Sequence, residues 1–406
     1  MSIKETFPAL AERNFRLYFY AQLISLAGTY LQSTAQGWLV FQLTNSAFWV
    51  GLVSALAFFP TFILVLFGGA LVDRLDRRRI LYFTQVAAMV LAFLLGALTV
   101  LHRVNVFEIC ILALALGVVN ALDTPARSAF IPEMIADRAN LASAISINSG
   151  MATTAMAVGP AVAGILIAVI GIGGTFIVNG GTFVAVLLAL YAMDIELRVI
   201  EEKEKAHPVV MIKTGIQYLA SNRDLVFLTV ISGIMAFFGR AYNAILPVIA
   251  VQFYHGGAGT LGALLAAFGF GAAAGALILS VYSKKISTKW FVAGGSILVG
   301  LTLAALAFAG NVIGGFALIF VNGFAFIIEV SMIVIIIQHV VPDALRGRAL
   351  SIFYFVYFGG YSLGSFAIGW AVDQFGLTVS VAASGTVALL VGIALVAARE
   401  RIPELE

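Results

Sequence analysis

Gly68-Gly69-Ala70-Leu71-Val72-Asp73-Arg74-Leu75-Asp76-Arg77-Arg78-Arg79 decides how this chain folds. Two glycines close a long apolar run, six of the seven residues 73–79 carry full charge, and a second apolar run starts at once. Charge at that density cannot lie in hydrocarbon, so the stretch is a tight cationic turn between two membrane helices. Its arginines place it on the cytoplasmic face.

Outward from that turn the composition says the same. Of 406 residues, 62% are hydrophobic and only 11% charged. Soluble globular domains carry roughly 25% charged residues, so a water-soluble fold is excluded. The apolar runs are long enough to cross about 30 Å of hydrocarbon as helices. They lack the alternation that barrel strands show over about 10 residues, so an all-α polytopic membrane protein is expected.

Twelve spans are read, near 15–43, 47–72, 79–101, 106–126, 140–170, 174–193, 224–253, 260–282, 289–310, 313–340, 345–372 and 377–398. The first is too long for a removed leader and is expected to be the first transmembrane helix. One sizeable hydrophilic segment, around Glu201-Glu202-Lys203-Glu204-Lys205, separates two sets of six. The expected domains are an N-terminal six-helix bundle over 1–193, a cytoplasmic linker over 194–223 and a C-terminal bundle over 224–406. Residues 209–220 are mildly amphipathic and suit the membrane surface.

With both termini cytoplasmic, 21 of the 23 basic residues fall on that side. Arg103 falls outside, and Arg240 falls within the bilayer. One missed helix would scramble this partition, so charge supports the helix count independently of hydropathy. The halves also repeat. Phe130-Ile131-Pro132-Glu133 before the fifth helix matches Val340-Val341-Pro342-Asp343 before the eleventh, 210 residues on. The same offset carries the opening turn onto Ser283-Lys284-Lys285-Ile286-Ser287-Thr288-Lys289. Such halves mark a repeat-built transporter with its site between them.

The turn Gly69–Arg79, with its ordered Gly, Asp and basic residues, resembles the loop signature of the major facilitator superfamily. Asp76 stands where that pattern usually has Gly. Val158-Gly159-Pro160-Ala161-Val162-Ala163-Gly164 resembles the Gly-Pro motif of antiporters in this superfamily. Asp123-Thr124-Pro125-Ala126-Arg127, Ile131-Pro132-Glu133 and Pro342-Asp343-Ala344-Leu345-Arg346-Gly347-Arg348 look like its enterobactin-exporter and macrolide-efflux branch. The intramembrane Arg that many drug–proton antiporters carry on the fourth helix is missing from 112–122. The resemblance implies two six-helix bundles and a bacterial inner-membrane secondary transporter that exports a small amphiphilic molecule, siderophore or drug-like, by proton antiport and alternating access.

A carboxylate at a helix end can accept from the free amides that start another helix, worth about 0.3–2 kcal/mol. For Asp73 the resemblance implies that the partner is the start of the eleventh helix, near 346–350, when the cytoplasmic side is closed. Asp123 is placed to pair with Arg77 across the neighbouring turn, and Asp73, Arg77 and Asp123 read as a cytoplasmic gate. The bland alternative is positive-inside topology with an isolated cap. Gly159, Pro160 and Gly164 remove a donor and side chains, which bends a helix or lets another pack closely.

Arg240 and Glu329 fall near the middles of the seventh and tenth spans, the only full charges so deep. A charge there costs about 2.5–3.5 kcal/mol, so each needs a partner or water. In the superfamily layout the two would face each other. Either they form a structural pair, or Glu329 binds a proton or cationic group while Arg240 tunes it. Arg240 alone could instead hold an anionic substrate. Gln22, Ser25, Gln32 and Gln36 share one face of the first helix and suit a polar cavity wall or interhelical hydrogen bonds, with Asn148 and Asn243 as additions. Phe237, Phe238, Tyr242, Phe324 and Phe326 suit packing or lipid better than a substrate cage.

His102 and His339 lack neighbours at metal-ligand spacing, the single Cys110 forms no intrachain disulfide, and no phosphate-binding loop is present. An enzyme, a cofactor and a metal are therefore not expected, and the basic loops face membrane anions rather than nucleic acid. The expected partners are a small-molecule substrate, protons and the lipid bilayer, with the chain a monomer. A lipid or lysophospholipid translocator is the alternative within transport, and a non-transporting membrane receptor or assembly protein the alternative outside it.

Overall fold

The structure is a computed structural model that describes residues 7–72, 76–195, 208–282 and 287–404. Among these every regular element is a helix. The main ones are α1 (Arg13–Thr44), α2 (Ala47–Val72), α3 (Arg77–Val100), α4 (Val106–Phe130), α5 (Leu141–Ala192), α6 (Pro208–Ser221), α7 (Arg223–Ile234) and α8 (Leu246–Gln252). They are followed by α9 (Ala258–Tyr282), α10 (Thr288–Leu306), α11 (Val312–Val340), α12 (Asp343–Phe375) and α13 (Leu377–Ala397). An all-helical solution follows from composition, because a helix pairs its own backbone groups where no water can.

Short polar residues set the ends. Asp76 accepts from the amides of Arg78 and Arg79 to start α3, Asn105 and Glu108 form a reciprocal cap on α4, and Asn222 starts α7. Asn45 closes α1 in the left-handed region at φ 49°. Each supplies a partner for amides or carbonyls the helix leaves open.

Ten helical stretches are long and apolar enough to cross a membrane, against the twelve spans read from sequence. Two differences account for this. α1 carries Gln22, Ser25, Gln32 and Gln36, all buried inside the protein, and this polar load keeps it outside the apolar group. The fifth and sixth spans run as one helix, α5, broken only at Gly171, whose φ of 73° suits a residue without a Cβ.

α1 packs mainly on α5, α2 on α4 and α12, α9 on α5 and α11, and α10 on α11 and α13. One end of the bundle holds Arg77, Arg127, Lys289 and Arg346 and is called the basic end; the other, with Asn45 and Gly376, is the far end. At the far end one apolar core joins both halves of the chain. It includes Trp38, Val50, Leu95, Ile109 and Phe176 from the first half, and Tyr242, Leu246, Leu261, Leu303 and Ile368 from the second. At the basic end the cores are separate. One holds Phe15, Leu81, Phe130, Met151 and Leu190; the other holds Leu225, Phe291, Ile333 and Phe353, with Leu66 packed against it. The helix expected on the membrane surface, α6, packs on the basic end of α12, where Gly215 sits against Arg348 and Ile352 and Leu219 enters the core.

Candidate functional site

The helix that carries Arg240 changes pitch at midspan. After α7 the chain makes a π turn over Met235–Arg240 and a 3-10 turn over Ala241–Ile245, then continues as α8. Such local widening is common where a helix presents groups for function. It ends on Arg240, just below residues 241–250, which are buried in the far-end core.

The Arg240 guanidinium lies over the rings of Phe268 at 4.3 Å, Phe326 at 4.8 Å and Tyr361 at 5.7 Å, which come from α9, α11 and α12. Its Nη1 is buried without a hydrogen-bond partner. Asn243 donates to the Arg240 carbonyl at 3.2 Å and leaves its own Oδ1 buried and unpartnered. The expected packing role of Phe326 is therefore incomplete. It is one wall of the arginine's surroundings, as are Phe268 and Tyr361, which the sequence reading passed over. Helical spacing within one segment could not have found a cage assembled from three distant helices.

Glu329, on α11, is fully buried, and neither carboxyl oxygen has a hydrogen-bond partner. Gly295 of α10 packs against its Cβ, and the hydroxyl of adjoining Ser296 donates to Val292 O. Arg240 and Glu329 form no ion pair among the described residues. Between the Ala241–Ile245 turn, α10 and α11 a satisfied network does form: Tyr242 donates to Asn322 Oδ1 at 2.9 Å, and Asn322 donates to Thr302 Oγ1 at 2.9 Å and Val299 O at 3.1 Å.

On α1, Gln22, Ser25, Gln32 and Gln36 share a face as expected, but all four are buried. Gln32 accepts from Asn179 of α5 at 2.6 Å, an interhelical bond. Asn148 accepts from Tyr18 at 3.3 Å.

The expected gate is described only in part. Asp73 lies outside the described residues. Asp123 is buried and engaged by Thr84 at 2.7 Å, Gln85 at 2.8 Å and Arg127 one turn along its own helix. Arg77 reaches Glu133 at 2.5 Å and Ala129 O at 3.2 Å. The four-residue spacing of Asp123 and Arg127 was legible as a same-face pair.

Gly159, Pro160 and Gly164 wedge α5 between two neighbours. A Cβ on Gly159 would sit 2.6 Å from Ala27 O of α1. On the opposite side Gly164 meets Gly259 of α9, and a Cβ on Gly262 would lie 2.5 Å from Pro160 O. The motif is thus a close-packed seam joining the first half of the chain to the second.

A far-end feature was not anticipated. Asp373, at the end of α12, accepts from Ser46 Oγ at 2.5 Å and from the amides of Ala47 at 2.8 Å and Phe48 at 3.1 Å. One carboxylate from the second half thereby caps the start of α2 in the first. Below it α2 and α12 touch backbone to backbone, since a Cβ on Gly369 would lie 2.5 Å from Ala47 O. Further down, Phe58 meets Tyr361 at 4.8 Å and Phe62 meets Phe355 at 4.5 Å.

A family model described as a transmembrane secretion effector matches residues 4–406. The staphyloferrin A transporter of Staphylococcus aureus is 25% identical over 92% of this chain and 94% of its own. The multidrug efflux pump Tap of Mycolicibacterium fortuitum is 25% identical over 94% of each chain. The enterobactin exporter EntS of Citrobacter koseri is 24% identical over 97% of this chain and 92% of its own. Among solved structures, the nucleoside transporter NupG superposes with a TM-score of 0.79 at 12% identity, covering 95% of this chain and 99% of its own. A bacterial homologue of the human lysosomal transporter Spinster, inward-facing and unoccupied, gives 0.75 at 15% identity, covering 96% and 98%. At those identities the structural likeness speaks to the fold alone.

Proposed function

This chain belongs to the transmembrane secretion effectors of the major facilitator superfamily, and from that premise we propose that it exports a small amphiphilic compound by proton antiport through alternating access. Its relatives are transporters rather than enzymes, and they include siderophore and drug exporters. On this reading there are twelve crossings: the ten apolar stretches, α1 with its buried polar face, and one more from dividing α5 at Gly171. They form two six-helix halves over 1–193 and 224–406, joined by a cytoplasmic linker over 194–223. The chain works as a monomer in a bacterial inner membrane with the basic end in the cytoplasm.

The observation that carries alternating access is the difference between the two ends. A continuous core and the Asp373 cap bind the halves at the far end, whereas at the basic end the fully buried cores stay separate, with Leu66 of α2 at the margin of the second. That is the arrangement of a cavity open to the cytoplasm and sealed outside. Export then requires the halves to rock, the Asp373 cap to break, and the cytoplasmic end to close with Asp73, Arg77 and Asp123 taking part.

Glu329 is the group that carries the proton. Burial of its charged form is little offset: the one hydroxyl at hand, Ser296, donates to Val292 O, neither carboxyl oxygen meets a donor in hydrogen-bonding geometry, and no cation pairs with it among the described residues. The test is substrate transport in proteoliposomes under an imposed proton gradient, using staphyloferrin A and ethidium as probes. Glu329→Gln should abolish gradient-driven movement while leaving exchange down a substrate gradient. Undiminished coupling in that variant removes Glu329 from the mechanism.

A further inference from the structure

We infer that Arg240 and Asn243 form an anion-binding point in the central cavity, for a substrate carrying an oxyanion next to a hydrogen-bond donor on a flat apolar skeleton. The inference rests on the transport reading and names the substrate class that reading leaves open.

The argument begins with what holds Arg240. A guanidinium stays charged at any physiological pH, and at the bilayer middle that charge has to be offset. A carboxylate would be the usual partner, yet the described ion pairs include none with Arg240. Three aromatic rings surround it instead. Ring faces attract the cation through their quadrupoles. They satisfy the charge without occupying the N–H donors, which lie in the guanidinium plane. Nη1 is accordingly buried with no acceptor.

This arrangement differs from a structural arginine, whose planar fork would be spent on a carboxylate or on backbone carbonyls. Here three rings hold the plane, Tyr357 lies within hydrogen-bond reach of the guanidinium, and Nη1 is left over. Three residues on, Asn243 shows the converse. Its amide nitrogen is used on Arg240 O, while its carbonyl oxygen is buried without a donor. An orphaned donor and an orphaned acceptor on one turn are complementary to a ligand that offers both, such as a carboxylate with an adjacent hydroxyl. The neighbouring rings favour a flat skeleton. The site also lies where the far-end seal begins, at Ala241 and Tyr242, so a ligand rising from the basic end would meet it at the closed face.

The probes are 3-hydroxy-2-naphthoate and its neutral carboxamide, titrated onto the full-length protein in nanodiscs and followed by ligand fluorescence. The acid should bind saturably and at least about tenfold more tightly than the amide, a difference of about 1.4 kcal/mol. Arg240→Gln should bring the two ligands to equal affinity. Arg240→Lys should keep part of the preference, because charge survives and the planar fork does not. Asn243→Ala should weaken the hydroxy acid but not 2-naphthoate, which lacks the hydroxyl.

If Arg240→Gln does not fold, the Lys and Asn243 variants carry the test. Equal binding of acid and amide to the unaltered protein overturns the inference. So does an acid preference that survives Arg240→Gln, or a lack of saturable acid binding in the millimolar range. The outcome separates from that of the coupling proposal: Glu329→Gln can fail to uncouple transport while the Arg240-dependent preference stands, and the reverse holds equally.

Discussion

Asp123 shows what a buried charge demands of its neighbours. Thr84, Gln85 and Arg127 all donate to it, and its side chain is 3% exposed against 18% for Arg127. Asp123→Ala would strand a largely hidden guanidinium and two donors, and breaking such a pair costs about 3–5 kcal/mol. A clear drop in thermal unfolding temperature is expected, set against Arg79→Ala as a control, since Arg79 pairs with Asp76 while 83% exposed. Equal shifts in the two variants would sink this account. Tyr242→Phe should cost about 1–3 kcal/mol on the same measurement by leaving Asn322 Oδ1 unpartnered. Depth along a helix can be read from sequence, which is why Arg240 and Glu329 stood out. Partners drawn from other helices cannot, so the ring walls of Arg240 and the lack of an Arg240–Glu329 pair emerge only in three dimensions.

Among the elements, α2 and α12 are the pair to perturb. Asp373 caps α2 across the two halves, and Gly369 lets the backbones meet below the cap. Asp373→Asn should weaken the far-end closure by about 0.3–2 kcal/mol, the range for a carboxylate at a helix start. Faster labelling of Val53→Cys by an impermeant maleimide added outside would report it, in a Cys110→Ala background; Val53 is buried in the far-end core. Gly369→Leu should act in the same direction and more strongly, because its side chain has no room against Ala47 O. Unchanged labelling in both variants would show that the cap does not hold the far end. Helix limits were mostly legible here, since Asn and Asp caps and charged turns interrupt the apolar runs. The joining of the fifth and sixth spans was not, because one positive φ at Gly171 redirects the chain without unwinding it. The cap itself escaped notice because Asp373 and Ser46 lie 327 residues apart.

For the whole molecule, charge placement and the internal repeat led to the all-helical transporter fold. They could not give the conformation, which depends on whether cores from the two halves merge or stay apart. On the proposed reading, in which a cavity opens at the basic end, Ser149, exposed on α5, should label rapidly as Ser149→Cys from the cytoplasmic side and slow when the far end is trapped open. The antiparallel α2 and α12 add a consequence for energetics. In the state seen here a carboxylate ending α12 caps α2. On the proposed reading the opposite state would be held by Asp73 at the start of α12, as the family resemblance implies. Passage between the states would then exchange one carboxylate cap for another of the same chemistry, so the caps themselves would bias the balance little. A small bias suffices to tip such a balance. Net flux is then reversible in principle, and the gradients across the membrane set its sign.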